Sequence, residues 1–136
     1  MADVFTPEQR SLVMASVHEK NTTPELAVRS LLHRMGCRFR LHRKDIPGKP
    51  DIVLPRHKKS IFVHGCFWHQ HKGCKHAARP TSNTDYWNKK LDRNIERDKA
   101  NRKKIGELGW KVMVIWECET RNHELLADKL LKFIGL

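Results

Sequence analysis

Ser60-Ile61-Phe62-Val63-His64-Gly65-Cys66-Phe67-Trp68-His69-Gln70-His71-Lys72-Gly73-Cys74 is the stretch on which the reading of this chain turns. Its first four residues form a short apolar run of strand character. The remainder packs three His, two Cys and two large aromatic residues into one segment. That density suits neither a core element nor an ordinary loop. Upstream, Asp51-Ile52-Val53-Leu54 is a second short apolar run, and Pro55 to Lys59 reads as a basic turn, so the two runs suggest a hairpin.

Working outward, Thr23-Pro24-Glu25 opens a helix: a Thr cap, Pro at the first position and an acid in the first turn. Leu26, Ala27, Leu31, Leu32 and Met35 give its apolar stripe, and Gly36 ends it. Arg38 to His42 alternates and reads as a strand. Lys44 to Pro50 is a loop. Asp85 to Leu108 reads as one long charged helix carrying Trp87, Leu91, Ile95 and Ile105. Lys111 to Glu117 is the most strand-like run, and Trp116 within it is expected in the core. Leu125 to Phe133 makes a last helix. The order α-β-β-β-α-β-α implies a mixed central sheet flanked by helices, an α/β fold.

The 136 residues amount to one domain by size. Residues 1–22 read as an N-terminal arm, DNA-contacting or else a frayed terminus, and 23–136 as a single domain. The formal net charge is +12, which points to a polyanion partner, nucleic acid first. No apolar stretch is long enough to span a bilayer, and the N-terminus lacks a signal-peptide pattern. The expectation is a cytoplasmic protein with no membrane partner, in which Cys pairs read as metal ligands or free thiols before disulfides.

Four constellations carry chemistry. Asp51 heads one strand and Glu25 lies on the preceding helix; carboxylates brought together at strand ends suit a hard cation such as Mg²⁺. Each has a plainer reading, as a turn Asp after Pro and as a first-turn helix acid. Cys66, His71 and Cys74 are close in sequence, and Cys118 follows the buried strand; together they suit tetrahedral Zn²⁺, with free thiols as the alternative. His64 and His69 are of a kind that transfers protons near a phosphate, and Asp98 could orient one of them. Phe67, Trp68 and Trp87 lie among basic residues and suit wedges that unstack bases; Trp87 reads equally as core packing.

The chain resembles the very-short-patch-repair (Vsr) endonucleases. The resemblance runs through Met14, Asn21 to Leu26, Pro47-Gly48-Lys49-Pro50-Asp51, His64-Gly65-Cys66-Phe67-Trp68-His69, Tyr86-Trp87, Asn94 to Asp98, Leu108-Gly109-Trp110 and Trp116-Glu117-Cys118. It implies a restriction-endonuclease-like α/β fold with a structural zinc. It implies nicking on the 5′ side of the mismatched T in T:G pairs, which arise when 5-methylcytosine deaminates, so that a DNA polymerase can fill a short patch. By the same resemblance Asp51 and the Val63 carbonyl bind Mg²⁺, and His64 and Glu25 support the water network and phosphate. His69 with Asp98 transfers the proton, Phe67, Trp68 and Trp87 intercalate, and Cys66, His71, Cys74 and Cys118 hold zinc. Val63 stands where Thr is often found, and Gly73 lies between His71 and Cys74, which leaves His69 or His76 as alternative ligands. The expected partners are double-stranded DNA with a T:G mismatch and, downstream, mismatch-repair proteins and the polymerase. The expected state is a monomer associated with a bacterial nucleoid. The rivals are a restriction-type nuclease and a non-catalytic zinc-stabilised DNA-binding module.

Overall fold

The computed structural model describes residues 23–135; the arm expected at 1–22 lies outside them. Helix α1 spans Thr23–Arg34 and strand β1 Arg40–Leu41. β2 is Ile52–Leu54, β3 Lys59–His64, α2 Thr84–Glu107, β4 Lys111–Trp116 and α3 His123–Ile134. The sheet order is β1-β2-β3-β4. β1, β2 and β3 pair antiparallel, so the expected hairpin is present, while β3 and β4 pair parallel. A parallel pair needs a crossover, and the 24-residue α2 supplies it. The sheet is therefore mixed, as its element order implied.

Both faces of the sheet are covered. Val28 and Leu32 of α1, with Leu126, Leu130 and Ile134 of α3, pack against Ile52, Leu54, Ile61, Met113 and Ile115. On the other face Ile105 of α2 joins Phe62 and Ile46, with Trp110, Val112 and Val114 against them. β4 thus sends alternate residues into two layers, as a parallel strand buried on both sides must.

Three local expectations differ from what is found. The α1 stripe is turned: Leu26 is 47 % exposed, while Glu25, Val28 and Leu32 are buried. Spacings of three and four put those residues on one helix face, so a carboxylate takes the inward position expected for Leu26. The strand at 38–42 shrinks to two exposed edge residues, because His42, whose N–H still reaches the Asp51 carbonyl at 3.1 Å, enters the left-handed region at φ 50° and turns the chain out of the strand. Trp116 is half-buried, and its ring packs on that of His71.

The inner stripe of α2 has a polar middle. Leu91 and Ile105 are buried, and between them, at spacings of three and four, come Asn94 (buried), Asp98 and Asn101 (half-buried). This inset faces the loop after β3 and positions the site.

A candidate metal-dependent active site

A cleft of about 570 Å³ opens where β2, β3, α1 and α2 meet. Glu25, Asp51, Val63, His64, His69 and Asp98 all line it. The side chains expected to do chemistry, though scattered in sequence from residue 25 to residue 98, therefore share one cavity.

Asp51 sits one residue before β2. The Val63 backbone N–H donates to its Oδ2 at 2.7 Å. A strand residue presents its N–H and C=O to the same edge, so the Val63 carbonyl faces this side too. Continuing the pairing of Ile52 with Ile61 would put Pro50 opposite Val63, and proline has no N–H to offer that carbonyl. Burial pushes the Asp51 carboxyl up from 3.8 to about 7; the Val63 N–H pulls it back, and the Glu25 charge adds to the rise. Two acids that repel each other, Glu25 buried and Asp51 half-buried, suit a cation.

His42, which was not singled out from the sequence, belongs here as well. Glu25, His42 and Asp51 each offer a ligand atom, all within 4.8 Å of one another. Arg29, one turn along α1, pairs with Glu25 at 2.9 Å. Neither Arg29 nor His42 carries a motif, and only the folded phase of α1 and the end of β1 brings them in.

The histidines form a second group. His69 Nδ1 lies 2.6 Å from Asp98 Oδ2. Burial raises Asp98, but the hydrogen bond and charge of His69 outweigh it and hold the carboxyl below its ordinary value. An ionised carboxylate only accepts, so Nδ1 is the donor, which leaves Nε2 as the ring nitrogen free to exchange a proton with the cleft. The His64 ring stacks on His69 at 3.7 Å between centroids, 7° from parallel. Burial first, then the His69 charge, lowers His64 to about 3, so it is neutral near pH 7. Its buried Nδ1 has no hydrogen-bond partner among the described residues.

The loop 65–78 and Cys118, which follows β4, form the third group. Cys66, His71, Cys74 and Cys118 converge within the same 4.8 Å limit. His71 Nδ1 lies 3.6 Å from Cys66 Sγ and 3.4 Å from Cys118 Sγ. A tetrahedral ion with metal–sulfur and metal–nitrogen bonds of about 2.3 and 2.0 Å gives ligand edges of about 3.5 Å, so the donors fit such an ion. Burial and the neighbouring Cys118 and Cys74 sulfurs push the Cys66 thiol up to about 12, which a cation would reverse. His71, not His69 or His76, is the ring in the cluster: His69 is engaged by Asp98, and His76 is exposed. Trp116 stacks on His71 at 4.2 Å.

The aromatic residues are packed on one another. Trp68 is buried at 7 % exposure, contrary to the expectation that Phe67-Trp68 makes a poor core element. Phe67 and Trp87 meet it at 5.2 and 5.8 Å, and Lys90 lies over its ring. Asn94 donates to the Trp68 carbonyl at 3.0 Å, so the α2 inset also anchors the loop. Arg79 clamps the far side, bonding Gln70, Asn88 and Asp92.

Among the described residues no helix is long and apolar enough to cross a membrane. The fold is similar to the catalytic domain of the homing endonuclease I-Bth0305I, with a TM-score of 0.59 and 21 % identity over 83 % of this chain and 94 % of that one. A type II nicking enzyme of Xanthomonas oryzae pv. oryzae, V.XorIIP, is 52 % identical over 130 residues, 96 % of this chain and 95 % of its own. The DNA mismatch endonuclease Vsr of Escherichia coli is 39 % identical over 131 residues, 96 % of this chain and 83 % of its own. Residues 2–76, which hold Glu25, Asp51, His64, His69 and three of the four cluster ligands, match the family model described as DNA mismatch endonuclease Vsr. Motif, cleft and relatives agree, and the chain belongs to the Vsr family of DNA mismatch endonucleases.

Proposed function

We propose that this protein is a Mg²⁺-dependent endonuclease that nicks one DNA strand on the 5′ side of the mismatched T in a T:G pair, the product of 5-methylcytosine deamination, and so starts a short repair patch. The observation that carries the reading is the meeting, in one cleft, of the Asp51 carboxylate with the His69–Asp98 dyad.

Asp51 and the Val63 carbonyl would hold the ion, with Glu25 close behind. When bound, the ion supplies charge neutralisation at the phosphate and a water of lowered pKa. Glu25 and neutral His64 accept and donate hydrogen bonds around that water and the phosphate. His69, its Nδ1 held by Asp98, moves the proton at Nε2; an oriented imidazole of this kind contributes roughly 10²–10⁴-fold. Cys66, His71, Cys74 and Cys118 would hold zinc, which would contribute folding energy to the loop that carries His69.

Base unstacking falls to Phe67, Trp68 and Trp87. Their ring-on-ring packing keeps a large apolar surface from water until a base step takes it up. On α2, Lys90 lies over the Trp68 ring and Arg97 lines the cleft, and both suit the phosphate backbone. The arm 1–22 is assigned to DNA contact as well, and the protein acts as a monomer.

The test uses end-labelled duplexes that differ only at one pair, T:G or T:A, in several flanking contexts. Metal-dependent nicking of the T strand of T:G alone supports the proposal. Cutting of both duplexes means a restriction-type nuclease, and binding without cutting means a zinc-stabilised DNA-binding module.

A further inference from the structure

We propose that His42 is a nitrogen ligand of the cation at the Asp51 site, and that the site therefore prefers a transition-metal dication such as Mn²⁺ over Mg²⁺ more strongly than an all-oxygen site would. The inference rests on the nuclease reading only in taking the Asp51 carboxylate as a metal ligand.

Three observations converge. The first is register. Arg40 pairs with Val53 and Leu41 with Ile52, so His42 stands opposite Asp51, and the His42 N–H donates to the Asp51 carbonyl at 3.1 Å. Directly opposed residues of an antiparallel pair put their side chains beside each other. The second is the ring. His42 Nε2 lies 3.3 Å from Glu25 Oε2, is buried, and makes no hydrogen bond among the described residues. Ligands at about 2.1 Å from a common ion are separated by roughly 3.0 Å in an octahedron and 3.5 Å in a tetrahedron, and the observed spacing lies between. The third is charge. Glu25 and Asp51 bring two negative charges, and Arg29 offsets one of them at 2.9 Å. A site left with one net negative charge holds a hard, well-hydrated Mg²⁺ weakly. A neutral imidazole adds affinity without adding charge, and affinity for nitrogen donors rises along the first transition series.

The backbone supports the assignment. His42 has φ 50°, in the left-handed region where few non-glycine residues sit. Such a conformation is strained for most non-glycine residues and concentrates at functional sites. Asn and Asp share the tolerance of His for this region, so His42→Asn removes the ring while leaving the turn intact.

The alternative is that His42 only steadies Glu25 from outside the ligand sphere. Pulsed paramagnetic resonance of Mn²⁺ separates the two. The protein is first loaded with Zn²⁺ at the cysteine cluster, then with Mn²⁺. Wild type is expected to show coupling to an imidazole ¹⁴N; His42→Asn loses it and His64→Gln keeps it. Binding titrations should show His42→Asn weakening Mn²⁺ by about tenfold or more and Mg²⁺ by less than about threefold. No nitrogen coupling in wild type overturns the proposal, as does coupling that survives His42→Asn, disappears in His64→Gln, or equal weakening of both ions. His42→Gln and the zinc content of each variant guard against a folding defect. Nicking of T:G duplex by wild type is scored separately: nicking without nitrogen coupling defeats this inference alone, and coupling without nicking defeats the nuclease reading alone.

Discussion

Replacing Asp51 with asparagine should make the metal-free protein more stable while it removes nicking. In the folded chain the Asp51 carboxyl is pushed from 3.8 to about 7 by burial and by Glu25 beside it. Above pH 7 the protein must therefore fold with an ionised carboxylate that its surroundings disfavour. At about 1.4 kcal/mol per pH unit between the two values, the ceiling on that cost is about 4 kcal/mol. Side-chain relaxation and water entry lower it, so a gain of about 1–4 kcal/mol is expected for Asp51→Asn. The amide keeps the useful contact, because its Oδ1 accepts the Val63 N–H, and its NH₂ faces Glu25 as a donor in place of a like charge.

The direction with pH is set by which state holds more protons. Between about pH 4 and 7 the folded chain binds a proton at Asp51 that the unfolded chain has released, so wild-type stability falls as pH rises through this window. The advantage of Asp51→Asn should be full above pH 7 and vanish near pH 4. A divalent cation binds only the ionised folded form. At a hundred times its Kd it returns about 2.7 kcal/mol to wild type and little to the variant. The assay is denaturant unfolding of both proteins in EDTA at several pH values, repeated with Mg²⁺ and with Mn²⁺. Equal stability at pH 8 would refute the reasoning, as would a gap that does not close toward pH 4 or a cation that stabilises both proteins alike.

Asp98→Asn should lower the single-turnover nicking rate by roughly 10²–10⁴-fold at saturating DNA and metal, because an amide no longer fixes the His69 tautomer; a near-normal rate would remove His69 from proton transfer. Cys118→Ser should lose bound zinc and melt at markedly lower temperature, since metal-binding energy is folding energy at such a site; metal analysis with an unchanged melting curve would end the structural role. Gly48→Ala should destabilise by about 1–3 kcal/mol, because Gly48 has φ +78° and an added Cβ would lie 2.9 Å from the Asn101 side chain; equal unfolding midpoints would show that loop to yield.

Much of this was legible in the sequence because the signals were local. Thr23-Pro24-Glu25 marks a helix start by capping chemistry within one turn, and the 51–63 hairpin is two apolar runs around a basic turn. The Cys/His cluster was readable because three ligands lie close together between Cys66 and Cys74, leaving Cys118 to be supplied by a strand already recognised as buried. A mixed sheet was readable from the element order, but that β4 pairs with β3 in this register was not, since it depends on where α2 returns the chain. Glu25 was singled out as a site carboxylate, but its inward turn was not readable, because a pattern of Leu26, Leu31 and Leu32 fits the helix nearly as well as the true phase, which is set by what α1 packs against. Arg29 and His42 gave no signal at all: one depends on that phase, the other on a left-handed residue at the end of a two-residue strand.

The polar inset of α2 shows what the arrangement costs and what it gains. A helix that bridges β3 to β4 would be held best by an unbroken apolar stripe. Here the stripe is interrupted between Leu91 and Ile105, where Asn94, Asp98 and Asn101 occupy the positions. Each polar residue has a specific task instead of packing: Asn94 holds the Trp68 carbonyl, Asp98 holds His69, and Asn101 closes on Gly48 in the loop before Asp51. The same helix face thus joins the aromatic cluster, the His69–Asp98 dyad and the loop that leads to Asp51. Stability lost from the core appears as fixed geometry in the cleft. This is why the inset reads as a flaw in amphipathic pattern when the helix is considered alone, and as the organising element of the site once β3 and its loop are in place.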